Sequence, residues 1–533
     1  MGYNFLTAER DQLFLLPPDA RDWLPPGHLA WAVVEQAGQM DLAPFAAWYR
    51  ADGQGQKAYH PQLMVGLVMY CYCKGIRSSR AIEMATFDDV GARVICGNCH
   101  PDHATVARFV SRHEGPVKGL LVASLAACAR QGLVCVDVVA GDGTKVKANA
   151  SMAAGATAGQ LEMQIGGLEA LLAAEVDAWL AQARAEDAAE DALFGDDGPG
   201  PGGPGTLART AGKLIRRQQA KAKLDADQAA RQAQAEAEHA EKITRLERRT
   251  AARRAGAERL AAEADAKVAG YQARAAAKAA AGSRKRPDGR VPVPAGRHTA
   301  VRRARQALAA AEQALEQAAA APASAPEPAH PAKANTTDPA SRVMPLKKGG
   351  FDQLYNAQAL AGRHQVILAI ATHDNPTDTG ALHPLLAQGR ANLDAAGIGD
   401  PIGKALFDAG YASDGNFTTG CGTELYVAIT REARQTGRTR DGKQPETMKA
   451  SWQHMAARLD TPEGKALYRQ RAGLIEPVFA QLFNRLGRHL NYRGDHVSLE
   501  LHLWAASHNL LKAIRAQARR AAATPALSLA PAS

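Results

Sequence analysis

No uninterrupted run of about eighteen apolar residues, the length a helix needs to cross a bilayer, occurs in this chain. Even QLMVGLVMYCYCKG breaks early, so no spanning helix is expected. Its seven cysteines form no even disulfide framework, which points to reduced thiols. MGYNFLTAERDQLFLLPPDA lacks the charged, apolar, small-residue pattern of a leader, so a cytoplasmic protein is expected. No Gly-x-Ser-x-Gly elbow is present, and GIGDPIGKA has the wrong spacing and Ala405 where a phosphate loop needs Ser or Thr; ATP use is rejected.

There is also no strong charge of one sign. Sixty-four Lys and Arg stand against 54 Asp and Glu, a net +10, which suits an anionic partner such as nucleic acid without requiring one. With 533 residues, the chain has room for two or three domains and a sizeable core.

Residues 1–130 carry helical apolar spacing and read as a small α-helical, DNA-binding domain. Within them the sequence predicts a helix capped near Ser78, a second short helix, a Gly-Asn-Cys-His-Pro turn and a third helix opening near Asp102. Such a unit either lays His103, Thr105, Arg108 and Arg112 against DNA or is an ordinary three-helix core with polar outer faces. Cys96-Gly-Asn-Cys99-His100 matches a haem-attachment pattern and, with Cys71, Cys73 and His103, a zinc pattern. A structural turn is the simpler account, since free Cys is commonly a small core residue.

Residues 131–151 switch to strands, LVCVDVVAG and TKVKA bracketing Asp142-Gly143, and read as the first part of a catalytic core. From 152 to 333 aromatic and β-branched residues nearly vanish, and Ala, Glu, Arg, Lys and Gln take over, the composition of long exposed helices. This stretch reads as an insertion. Leu161, Ile165, Leu168, Leu172, Val176 and Trp179 recur at helical steps and predict a packing seam. GSRKRPDGRVPVPAG and APASAPEPAHPAKA read as flexible linkers. Residues 334–520 return to alternating strands and helices, including QVILAIAT, a helix starting near Asp378, ALFDAG, ELYVAIT and two amphipathic helices, and 521–533 read as a disordered tail.

Three carboxylates fall at telling places: Asp142 and Asp408 at the ends of apolar strand-like runs, and Glu476 at the start of a basic amphipathic helix. Each alone has an ordinary account: Asp142-Gly143 a hairpin turn, Asp408 a strand-end cap, Glu476 a first-turn acid favoured by the helix dipole. As an ensemble, acids from distant segments suit hard divalent cations, which take oxygen ligands and retain several waters. His60, His373, His489, His496 and His508 are scattered and read as packing or phosphate-contacting residues.

Taken in order, HPQLMVGLVMYCYCKGIRSSRAIE, GNCHPDHATVARF, DGTKVKANAS, DPASRVMPLKKGGFDQLYNAQ, DAGYASDGN, YRQRAGLIEPVF and WAASHNLLK resemble blocks of bacterial insertion-sequence transposases of the DDE type. The resemblance implies an α/β ribonuclease-H-like catalytic core, a mixed sheet with flanking helices. Beside that core it places an N-terminal all-α domain and, in this chain, the long helical or coiled-coil insertion.

It further implies that Asp142, Asp408 and Glu476 are catalytic and hold two Mg²⁺ ions, for which Mn²⁺ can substitute. Tyr468 and Arg471 become contacts to DNA phosphate or an extruded base, with packing the other account of Tyr468; because Phe483 stands where many relatives carry a lysine, that phosphate contact is absent or falls to Arg485 or Arg488. The partners implied are the terminal inverted repeats and target DNA as duplexes, with no membrane, and a homodimer or higher oligomer on DNA. The activity implied is strand cleavage followed by strand transfer. Two rivals remain: an inactive relative that only binds DNA, and a coiled-coil scaffold.

Around Glu476 the pattern departs from the family. Four residues separate it from Arg471 rather than three, and a five-residue step turns far from one helix face. Either the helix begins at Pro477 with Glu476 outside it, or it begins near Ala472 with the proline in its first turn.

Overall fold

The computed structural model describes residues 19–49, 57–194, 205–281, 285–325, 331–346, 349–373, 375–429 and 449–523. They fall into two compact units, Met1–Gly155 with Asn335–Ser533, and Ala156–Ala334.

The first unit opens with seven helices: α1 Leu29–Gly38, α2 Ala43–Ala46, α3 Pro61–Lys74, α4 Ser79–Asp88, α5 Val90–Ile95, α6 His103–Arg112 and α7 Glu114–Arg130. Local chemistry sets their starts. Pro61 occupies the first turn of α3, where its missing N–H costs nothing. Ser78, Asp89 and Asp102 each accept a backbone N–H at the head of α4, α5 and α6. Every residue of α3 from Met64 to Cys73 is buried, so its sequence is apolar all round rather than on one stripe. The strand β1, Val138–Lys147, follows.

In the second unit β2 (Gly155–Thr157) leads into α8 (Ala158–Phe194), α9 (Gly205–Ala280) and α10 (Thr299–Ala320), and β3 (Lys333–Asn335) pairs with β2. The first half of α9 lies along α8, where Arg217 donates to Gln164; its second half lies along α10, where Arg253 donates to the Ala307 carbonyl. The seam from Leu161 to Trp179 is shielded, whereas Met163 and Leu171, off the stripe, are exposed. One expected linker is partly ordered by packing: Ala295 is buried beside Val301 and Ala264, and its N–H donates to Asp265.

The first unit resumes with β4 (Arg342–Pro345), β5 (Phe351–Ala361), β6 (Ile367–His373), α11 (Leu382–Ala395), β7 (Lys404–Phe407), α12 (Asp414–Thr418) and β8 (Glu424–Val427). Then come α13 (Ala450–Asp460), α14 (Pro462–Tyr468), α15 (Arg471–Leu486) and α16 (His496–Ala523). The sheet order is β4-β5-β1-β7-β8, with β6 also on β5. Strands β1, β5 and β6 are mutually antiparallel neighbours in turn, and β7 and β8 run parallel to β1. Helix α16 is tied to this sheet by Asn509, whose amide both accepts from and donates to the Ile367 backbone.

Three expectations change. The segments around Asp142-Gly143 are one unbroken strand, not two strands and a turn, because β5 pairs with β1 from Ala140 to Lys147. Helix α11 starts at Leu382 rather than near Asp378, whose side chain is drawn toward β5 instead of capping. Residues 521–523 are still helical, and 524–533 lie outside the described residues, as does nearly all of the basic stretch before Lys449.

Among the described residues no helix is long and apolar enough to cross a membrane.

Candidate functional site

The parallel register of β1 and β7 pairs Val138 with Lys404 and Ala140 with Leu406. Carried two residues further, it sets Asp408, just past the end of β7, beside Asp142, with both side chains on one face of the sheet. Close approach of the strands here depends on Gly141, where a Cβ would fall 2.1 Å from the Phe407 ring. Asp408 also caps the turn after β7 by accepting the Gly410 N–H at 2.8 Å.

From α15, Arg471 reaches across both strand ends. Its Nη2 lies 3.2 Å from Asp142 Oδ1 and 3.8 Å from Asp408 Oδ2, while its Nε is buried without a partner among the described residues. Burial pushes the Asp142 carboxyl up to about 6; the negative charges of Asp408 and Asp378 add to the rise, and Arg471 and the Gly143 N–H oppose it. The net rise is thus set by burial, which Arg471 and the Gly143 N–H do not fully offset.

A third carboxylate, which the sequence reading passed over, enters the same space. Asp378 Oδ1 accepts from Asn356 Nδ2 and Gln358 Nε2, each at 2.7 Å. Tyr411 donates to Gln358 in turn. Burial raises the Tyr411 pKa, with Asp378, Asp142 and Asp408 adding to the rise. A Cβ on Gly143 would lie 2.6 Å from Asp378 Oδ1, and one on Gly410 would lie 3.1 Å from Asp378 Oδ2. Both glycines therefore leave the space this carboxylate uses. Three buried polar side chains, Asn356, Gln358 and Tyr411, are committed to orienting it. The only signal in sequence was the amides Gln353, Asn356 and Gln358 of β5, unusual in a buried strand.

The remaining candidates scatter. Tyr468 is half-buried and donates from its hydroxyl to the Phe407 carbonyl at 3.1 Å; burial raises its pKa, opposed by Arg471. Its hydroxyl braces the strand end that carries Asp408. Glu476 is exposed, and no hydrogen bond or ion pair engages it among the described residues. Nor, among those residues, do three or more His, Cys, Asp or Glu side chains stand as a ready metal-ligand set, so Glu476 is not gathered with Asp142 and Asp408.

Helix α15 starts at Arg471, and Pro477 lies inside it, beyond the first turn. The proline cannot donate to the Gly473 carbonyl, and Gln365 donates to that carbonyl instead, at 3.3 Å.

Arg485 turns inward, its Nη2 on the Ser507 hydroxyl at 3.1 Å, and so is not placed as a surface phosphate contact. Arg488 lies over the Phe483 ring at 4.4 Å. Phe483 itself packs edge-on to Trp504, which accounts for an aromatic at this position.

Arg108 and Arg112 are exposed on α6, and Arg108 is tethered to the Ala104 carbonyl at 3.3 Å. His103 pairs with Glu83 at 2.8 Å. Burial raises the thiol pKa of Cys71, Cys73 and Cys96 to about 12 or higher, and His100 stacks on Phe87; these are packing roles.

Two protein families match the chain. A transposase domain (DUF772) covers residues 18–112, the segment that holds α1 to α6. A transposase DDE domain covers residues 430–514, which include Tyr468, Arg471 and Glu476. No curated protein and no solved structure matches. A transposase domain toward each end, in this order, is consistent with an insertion-sequence transposase of the DDE type.

Proposed function

We propose that this protein is an active DNA transposase that binds transposon ends and performs divalent-metal-dependent strand cleavage and strand transfer. The observation that carries the reading is the meeting of Asp142, within β1, and Asp408, just past the end of the neighbouring β7, under Arg471, an arginine inside the matched DDE segment. The sheet, with antiparallel β6, β5 and β1 followed by parallel β7 and β8, supports a ribonuclease-H-like core.

The residues fit a hard divalent cation. Their donors are carboxylate oxygens, Gly143 and Gly410 leave room beside them, and Asp142 is held up to about 6 by burial, with the charges of Asp408 and Asp378 adding to the rise, a condition a nearby cation relieves. Asp142 and Asp408 would hold it, with Asp378 and Glu476, neither of which, among the described residues, stands in a ready ligand set with them, as the carboxylates that would complete the site. When bound, Mg²⁺ or Mn²⁺ neutralises charge on the phosphodiester and activates water or a 3′-hydroxyl. The protein's own part is positional: β1 and β7 fix two carboxylates side by side, Asn356 and Gln358 fix the third, and Tyr468 braces the β7 end. Arg471, already between the acids, supplies a fork suited to phosphate oxygens.

On this reading the exposed Arg108, Arg112 and Arg488 contact duplex DNA, and the protein assembles as a dimer or higher oligomer on its ends. The test is a cleavage and strand-transfer assay on end-bearing DNA. Asp142→Asn, Asp408→Asn and Glu476→Gln should each lose metal-dependent cleavage by at least about 100-fold while still binding ends. Full cleavage by the Asp142 variant would sink the assignment; loss by the two Asp variants but not by Glu476→Gln would leave the Asp378 group as the metal site.

A further inference from the structure

Away from the carboxylates, α16 carries Lys512, Arg515 and Arg519 at three- and four-residue steps, with Arg520 beside them, which puts the three on one helix face. They wall a cavity of about 460 Å³ whose opposite side is built by His364 and Gln365. No Asp or Glu lines this cavity. The carboxylates on neighbouring elements are engaged elsewhere: Asp137 pairs with Arg363 at 2.8 Å, and Glu35 accepts from Gln517 at 3.2 Å.

Two of these cations are not taken up by other groups. Lys512 donates to the Gln365 amide oxygen at 3.4 Å, and Arg520 donates to the Arg130 and Gln131 carbonyls. Arg515 and Arg519, one helical turn apart, make no hydrogen bond or ion pair among the described residues. Beneath them Arg485 adds a further positive charge that bears on Arg515, and His508 is buried against the Gln365 carbonyl.

Like charges stacked at this spacing work against the helix, so the fold gains nothing from the stripe. The facing turn is strained as well: His364 and Gln365 both have φ of 60°, a left-handed conformation that non-glycine residues adopt at a cost and that collects at binding sites. A concave, carboxylate-free cluster of forked cations is what a chain of phosphates recognises.

We propose that this cavity is a second DNA site, taking backbone phosphates other than the one that is cut. The inference rests on the transposase reading but uses a different end of the sheet. Asp142 pairs with Ala359, and the Arg363–Gln365 turn follows Ala361, roughly 15 Å further along at about 3.3 Å per residue. One DNA strand covers that span in four or five nucleotides at about 3.4 Å each, so a strand cut at the carboxylates could extend its flank toward the cavity.

The experiment measures binding of end-bearing duplex by the full chain across a salt series. Each phosphate contact contributes about 0.9 to the slope of log affinity against log salt, so Arg515→Gln/Arg519→Gln should flatten that slope by about 2 and weaken binding roughly tenfold at low salt. The matched control, Arg302→Gln/Arg303→Gln, neutralises two exposed arginines on α10 and should change neither.

An unchanged slope in the first variant overturns the proposal, as does an equal loss in the control, which would make net charge the cause. Displacement of the duplex by millimolar inorganic phosphate from the wild type but not from the Arg515/Arg519 variant would make the cavity a free-anion site and also overturn it. If the wild-type protein bound no duplex at all, the transposase reading itself would fail; wild-type binding matched by the variant refutes only the cavity.

Discussion

Arg471 Nη2 stands 3.2 Å from Asp142 Oδ1 and is shared with Asp408 at 3.8 Å. The guanidinium occupies the position of the counter-cation to two carboxylates that the sheet forces together. Burial nonetheless holds the Asp142 carboxyl up to about 6, with Arg471 the main charge that opposes the rise.

Removing that guanidinium should therefore be felt before any DNA is added. Arg471→Gln leaves two partly buried acids without their cation, and metal-free stability at pH 7 should fall by about 1–3 kcal/mol, the cost of stranding buried charged groups. Urea denaturation measures it. Millimolar Mg²⁺ should restore much of the loss, since a cation that binds only the folded state stabilises it; a loss that Mg²⁺ leaves untouched would contradict the placement.

Asp142 makes stability depend on pH in an unusual direction. Its folded pKa of about 6 lies above the ordinary aspartate value of 3.8, so folding favours the protonated form. The stability it contributes is fully present below about pH 4 and is lost as pH rises through 6, by about 3 kcal/mol at 1.36 kcal/mol per unit. Asp142→Asn, neutral throughout, should escape that loss and be the more stable protein at pH 7 without metal. Mn²⁺ affinity of the wild type should conversely climb between pH 5 and 7 as the carboxylate ionises. A wild-type protein whose metal-free stability is flat over this range would refute the shift.

Asp378→Asn is nearly isosteric, and its side-chain oxygen can still accept from Asn356 and Gln358, so the network and the thermal midpoint should survive. What goes is the charge and one oxygen. Mn²⁺ affinity, read by electron paramagnetic resonance, should drop by about tenfold or more, the usual scale for losing a ligand or its support. Unaltered affinity in a folded variant would remove Asp378 from the site.

Gly141→Ala tests the close approach of β1 and β7. A Cβ placed 2.1 Å from the Phe407 ring must push that ring aside, and overpacking of this kind costs about 1–3 kcal/mol. Because Phe407 precedes Asp408, cleavage should fall further than stability alone explains at a temperature where the variant is fully folded. Wild-type cleavage rates under those conditions would show that the strands tolerate separation.

Much of the site could be read in the sequence because its signals are local. Asp142 and Asp408 end β-branched, apolar runs, and helix caps such as Ser78 and Asp102 lie beside the turns they close. Strand β5 was not legible: its Gln353, Asn356 and Gln358 look wrong for a buried strand until Ser341, Asp378 and Tyr411 are seen to satisfy them. Asp378 was hidden with it, since its role is set by partners on another strand. The inward turn of Arg485 was equally out of reach, because any arginine near a helix end reads as exposed until its neighbour is known to be Ser507.

The sequence by itself determined which residue types were available and where several helix caps and the alanine-rich insertion fall, because these depend on neighbours within a turn or two. Only the tertiary structure decided which acids meet. The β1–β7 register sets Asp408 beside Asp142, Gly143 and Gly410 open the space for Asp378, and α15 brings Arg471 rather than Glu476 between the strand ends. Those outcomes turn on strand register and on the removal of two Cβ atoms, long-range steric facts that local patterns do not encode.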